Sequence, residues 1–112
     1  MTVLTVATCQ FPVSADIGQN AAWMARQMRE AARQGARVVH FPEGALSGYA
    51  GTDVETFTGY DWDALGRATG GIAQLAGELG IWVVAGSAHR FSDTSAPRGG
   101  ARPSPAPGTA EN

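Results

Sequence analysis

Val38-Val39-His40-Phe41-Pro42-Glu43-Gly44-Ala45-Leu46-Ser47-Gly48-Tyr49 is the stretch on which the reading of this chain turns. Val38, Val39 and Phe41 favour extended backbone, because branched and aromatic side chains pack well on a pleated surface. Pro42 has no N–H for the next rung of a sheet and so ends the strand. Glu43 follows at once, and Gly44 and Gly48 permit a tight turn around it. The block predicts a buried strand that stops abruptly and presents one carboxylate at its C-terminal end. In α/β proteins that end of a strand is where ligands and chemistry are placed.

Working outward, Thr2 to Gln10 is rich in β-branched and apolar residues and predicts a strand buried on both faces, closed by Phe11-Pro12-Val13. Ser14 or Asp16 caps a helix running to about Gln34, whose apolar side is Ile17, Ala21, Met24, Met28 and Ala31 or Ala32. Gly35 supplies the left-handed residue after it, and Arg37 to Phe41 is the second strand. Downstream, Ala50 to Tyr60 is a polar loop. Asp61 or Asp63 then opens a second helix with Leu65, Ala68, Ile72, Leu75 and Leu79 on one face. Gly70-Gly71 weakens its middle by roughly 1–2 kcal/mol relative to alanine, enough to leave room for a break. Gly80 ends it, and Ile81 to Ala85 is a third strand. Strand, helix, strand, helix, strand with right-handed crossovers predicts an α/β unit with three parallel strands.

At Ser92 the composition changes. Residues 92–112 contain no aromatic, no aliphatic larger than alanine and four prolines. Such a segment cannot bury enough apolar surface to offset its ordering entropy. The expected organisation is one folded portion, residues 1–91, followed by a disordered tail, residues 92–112.

Composition excludes several functions. A chain of 112 residues fits one domain at most. A net charge of −2, with no basic cluster, leaves no electrostatic footprint for nucleic acid. No run of apolar residues approaches a membrane span, and the N-terminus lacks the basic start and cleavage site of a signal peptide. A single cysteine makes no internal disulfide, which places the expected compartment in the cytoplasm.

Four pieces of the sequence, in order, resemble the nitrilase superfamily, the carbon–nitrogen hydrolases. These are Gln10-Phe11-Pro12-Val13 with Gly18-x-Asn20 after it, Phe41-Pro42-Glu43, Gly48-Tyr49, and Leu75-Ala76-x-x-Leu79-Gly80-Ile81-x-Val83-Val84-x-Gly86-Ser87. The resemblance covers about the first 90 residues. It implies part of an α-β-β-α sandwich, in which two sheets lie face to face with helices outside. It also implies hydrolysis of small amides or nitriles by a Glu-Lys-Cys triad, with no cofactor. A thiol with pKa near 8.5 is mostly protonated at pH 7 and needs a carboxylate to take its proton. A lysine then stabilises the oxyanion on the attacked carbon. By the resemblance Glu43 is the general base, and the loop carrying Tyr49 lies near the substrate. The sequence contains no lysine, and no cysteine follows the Glu43 motif. The resemblance therefore implies the N-terminal part of a hydrolase, inactive alone.

Other candidates weigh towards structural roles. Cys9, the only cysteine, lies before its strand end and reads as a small buried residue rather than a nucleophile. His40 and His89 lack the spacing of metal ligands, so no metal site is expected. Asp53 and Glu55 either line a pocket with Tyr49 or are solvated. Trp23, Trp62 and Trp82 fall on elements where packing is their ordinary use. Arg26, Arg29, Arg33 and Arg37, offset by Glu30, read as a solvated helix face.

The alternative to a hydrolase portion is a non-catalytic α/β module that pairs with another chain. Either reading predicts that helices cover one side of the sheet only. The other side is then open to a homo-oligomer or to aggregation.

Overall fold

The computed structural model describes residues 2–90. The elements are β1 (Val6–Thr8), α1 (Ile17–Arg33), β2 (Val38–His40), α2 (Trp62–Leu79) and β3 (Trp82–Val84). The strands form one sheet in the order β1-β2-β3, parallel throughout. Arg37 N–H donates to Thr5 and Cys9 N–H to His40 on one side of the central strand. Trp82 N–H donates to Arg37 and Phe41 N–H to Val84 on the other. The expected α/β architecture is the one observed. The expected tail, residues 92–112, lies outside the described residues.

Local chemistry sets the helix ends. Asp16 caps α1 by accepting from Gln19 N–H, and Asp61 caps α2 by accepting from Ala64 N–H. Gly80 closes α2 in the left-handed conformation, φ 67°. The helix runs unbroken through Gly70-Gly71, where the weak propensity had left room for a break. Leu65 and Leu75, one on each side of the pair, are both buried and hold the two halves on one axis.

Because each strand adds on the same side of its predecessor, right-handed crossovers place both helices on one face of the sheet. Met24 and Met28 of α1 and Leu65 and Leu75 of α2 pack there with Val39, Phe41 and Ile81, joined by half-buried Ala7 and Val83. The strand period of two sends the remaining residues to the opposite face. The first strand is therefore not buried on both faces as its composition suggested: Ala7 is half-buried, whereas Val6 and Thr8 are exposed. Among the described residues no element covers that second face. No helix of the described residues is long and apolar enough to cross a membrane.

Candidate functional site

Glu43 leaves the C-terminal end of β2, the central strand, and is exposed. Pro42 ends the strand and its carbonyl accepts from Ala45 N–H at 3.2 Å, folding the chain into a compact turn. Gly48 N–H then donates to Gly44 at 2.9 Å. Gly48 holds φ +90°, and a Cβ there would stand 2.9 Å from the Ser14 carbonyl oxygen, so both conformation and space demand glycine. Behind Glu43, residues 44–48 are all buried. The carboxylate thus projects from a rigid base.

Three side chains pin that base. Asn20 of α1 is fully buried: its Oδ1 accepts from Ser14 N–H at 3.0 Å, and its Nδ2 donates to the carbonyls of Ser14, 2.8 Å, and Leu46, 3.1 Å. It joins the β1–α1 connection to the Glu43 turn. Ser47 Oγ donates to Gly48 O and accepts from Ala88 N–H, each at 3.0 Å, tying the turn to the segment after β3. Tyr60 Oη donates to the Ser47 carbonyl at 2.9 Å. Burial raises the Tyr60 phenol above its ordinary value, with the neighbouring Asp61 charge adding to the rise.

Tyr49 is half-buried and its ring edge lies against Gly44, adjacent to Glu43. Asp53 accepts from Tyr49 N–H at 2.8 Å, so its carboxylate closes the loop, while Glu55 is exposed. Beyond them Phe57, Tyr60 and Trp62 form a mutual aromatic cluster with centroids 4.8–5.4 Å apart. Arg90 lies over the Trp62 ring at 5.7 Å.

Cys9 is not brought into this arrangement as a nucleophile. It is half-buried, packs on the helix-covered side of the sheet, and its thiol is pushed up by burial, which disfavours the thiolate. His40 lies on the bare face of the sheet. His89 lines an open groove of about 750 Å³ between α2 and β3, with Trp62, Leu65, Ile72 and Trp82, and Glu43 is not in its lining. Among the described residues no three His, Cys, Asp or Glu side chains are grouped to hold a metal ion. What remains is an exposed carboxylate on a fixed turn, to which no described residue donates a hydrogen bond. Its oxygens face solvent.

The sequence did not reveal the anchoring roles of Asn20, Ser47 and Tyr60. An amide inside an apolar helical stripe was the one available signal, since a buried amide must be satisfied.

A family model described as carbon-nitrogen hydrolase matches residues 5–98. Among curated proteins no match to the chain is found.

Proposed function

Because this chain belongs to the carbon–nitrogen hydrolase family, we propose that it supplies the general-base portion of an amide- or nitrile-hydrolysing site. Glu43 is the base and Tyr49 flanks the substrate. The observation that carries this reading is the exposed Glu43 carboxylate at the end of the central strand, on a turn fixed by Asn20, Ser47 and Tyr60. A base must hold its position while it accepts a proton, and buried hydrogen bonds behind it provide that stiffness.

In the family reaction the base takes the proton of a cysteine thiol. The sulfur attacks the amide or nitrile carbon, and a lysine stabilises the developing negative charge. These 112 residues contain no lysine, and their one cysteine packs under the sheet. The chain is thus an N-terminal portion of the catalytic unit, inactive by itself, in a cytoplasmic setting that keeps thiols reduced. Purified chain should show no turnover of aliphatic amides or nitriles above background. Cysteine-dependent turnover that disappears in Cys9→Ala would overturn this assignment and make Cys9 the nucleophile. Reading the alternative frames of the coding DNA beyond Phe91 supplies a second check: a lysine motif and a cysteine motif on strand-like segments are expected there.

A non-catalytic pairing module is the second reading. The observation that favours it is the run of exposed apolar side chains on the sheet.

A further inference from the structure

The loop that follows the Glu43 turn is held by two sets of bonds with different effects. The Tyr49 carbonyl accepts from Thr52, Asp53 and Val54 N–H at 3.2, 2.9 and 3.1 Å, and Gly51 N–H donates to the Val54 carbonyl at 2.8 Å. These main-chain bonds close residues 49–54 without any side chain. Tyr49 N–H then donates to the Asp53 carboxylate, at Oδ2, over 2.8 Å. That bond is not needed to shut the loop. It fixes the peptide plane before Tyr49, while the three amides fix the plane after it. With both planes held, φ and ψ of Tyr49 are set, and so is the direction in which its ring leaves the backbone. The packing is equally tight. Asp53 Cβ stands 3.2 Å and Val54 Cγ2 3.3 Å from where a Cβ on Gly48 would lie, so the loop folds directly over Gly48. The Tyr49 ring reaches back to Gly44, beside Glu43, with Cδ1 3.2 Å from where a Cβ there would lie.

We propose that Asp53 is a positioning residue, whose carboxylate aims the Tyr49 ring at the place beside Glu43 where a substrate lies. This rests on the reading of Tyr49 as the residue that flanks the substrate. A side chain on a connecting loop is ordinarily mobile, and a site residue needs its orientation fixed by bonds behind it. A carboxylate suits that task, because a charged acceptor holds a backbone N–H more firmly than a neutral one. Asp53 thereby differs from Asn20, Ser47 and Tyr60, which pin the turn that carries Glu43. It acts on the second side chain of the proposed site.

The chain has two tyrosines, Tyr49 and Tyr60. Labelling the full 112-residue chain with 3-fluorotyrosine therefore gives two fluorine NMR signals, assigned with Tyr49→Phe. Asp53→Ala should move the Tyr49 signal at least about halfway to its position in urea and sharpen it, as the ring gains fast motion. Tyr60 should stay in place and the far-UV helical signal should be retained. Asp53→Asn keeps an oxygen that can accept the same N–H and should return the Tyr49 signal most of the way. A Tyr49 signal unmoved by Asp53→Ala overturns the proposal. So does a change that asparagine fails to rescue, or one that reaches Tyr60 equally, since Asp53 then holds the loop as a whole and not the ring. If Asp53→Ala loses its helical signal, Asp53→Glu, with its carboxylate displaced by one methylene, is the second probe and must move the Tyr49 signal alone. None of these outcomes depends on turnover, so a failure of the hydrolase reading is detected separately, by the Cys9→Ala test.

Discussion

Asn20 occupies a helix position where an apolar residue would ordinarily pack, yet its amide makes three hydrogen bonds that join α1, the β1–α1 connection and the Glu43 turn. Asn20→Ala removes all three and strands Ser14 N–H and the Leu46 carbonyl in a water-poor site. A loss of about 1–3 kcal/mol is expected, read as a lower urea midpoint at unchanged slope. Cys9 gives a second prediction at this scale. Burial raises its thiol pKa, so at a pH between the unfolded and folded values the native state holds the proton longer. Stability from this group is full below the unfolded value and declines as pH rises through the interval up to the folded one. Alkylation at pH 8 should accordingly run several-fold slower in the native chain than in urea, and equal rates would mean that the thiolate is freely accessible. The place of Glu43 was legible because Pro42, Gly44 and Gly48 encode their turn locally. The roles of Ser47 and Tyr60 were not, since Ser47 meets Ala88, 41 residues away, and Tyr60 meets Ser47 through a 13-residue loop. No local spacing records such contacts.

Elements were readable where period and caps agreed. The stripe Ile17, Met24, Met28 and Ala31 gave α1, and Asp61 with Gly80 bounded α2. The expected strands ran longer than the observed ones, which are three residues each. Strand propensity marks residues suited to a pleated surface, but ladder length depends on how far the neighbours extend. The Gly70-Gly71 pair left a break open on local propensity alone, and the tertiary packing of Leu65 and Leu75 closes that option. That outcome has a measurable consequence. Gly70 is exposed, helical and has nothing within 4 Å of where a Cβ would stand. Gly70→Ala should therefore stabilise the chain by about 0.5–1 kcal/mol by lowering the entropy of the unfolded state. A rise in thermal midpoint tests it, and a destabilisation would show that the face of α2 at Gly70 is occupied.

At the largest scale the decisive fact is that, among the described residues, one sheet face is covered by helices and the other carries no element. Strand composition alone pointed the other way, since an unbroken apolar run reads as burial on both sides. The count of two helices for one sheet is what made the open side legible in the sequence. What decided it was topology, since three strands added in one direction carry both crossovers to the same side. The consequence is strict alternation, and it predicts opposite responses from residues of the same type in neighbouring strands. Val39 on β2 is fully buried between sheet and helices, and Val84 on β3 is 54% exposed on the other face. Valine and threonine have nearly the same shape and both suit strands, so Val→Thr changes little except a hydroxyl in place of a methyl. At Val39 that hydroxyl enters an apolar core, at a cost of about 1–3 kcal/mol. At Val84 it meets water, and the change should stay within about 0.5 kcal/mol when measured on dilute monomer. Against a total stability of about 5–15 kcal/mol for ordinary domains, and less in a unit with one open face, the first substitution should lower the urea midpoint markedly. The second should leave the midpoint in place while reducing the binding of a hydrophobic dye. Equal losses at both positions would mean that the second face is already covered and that the chain is a closed domain.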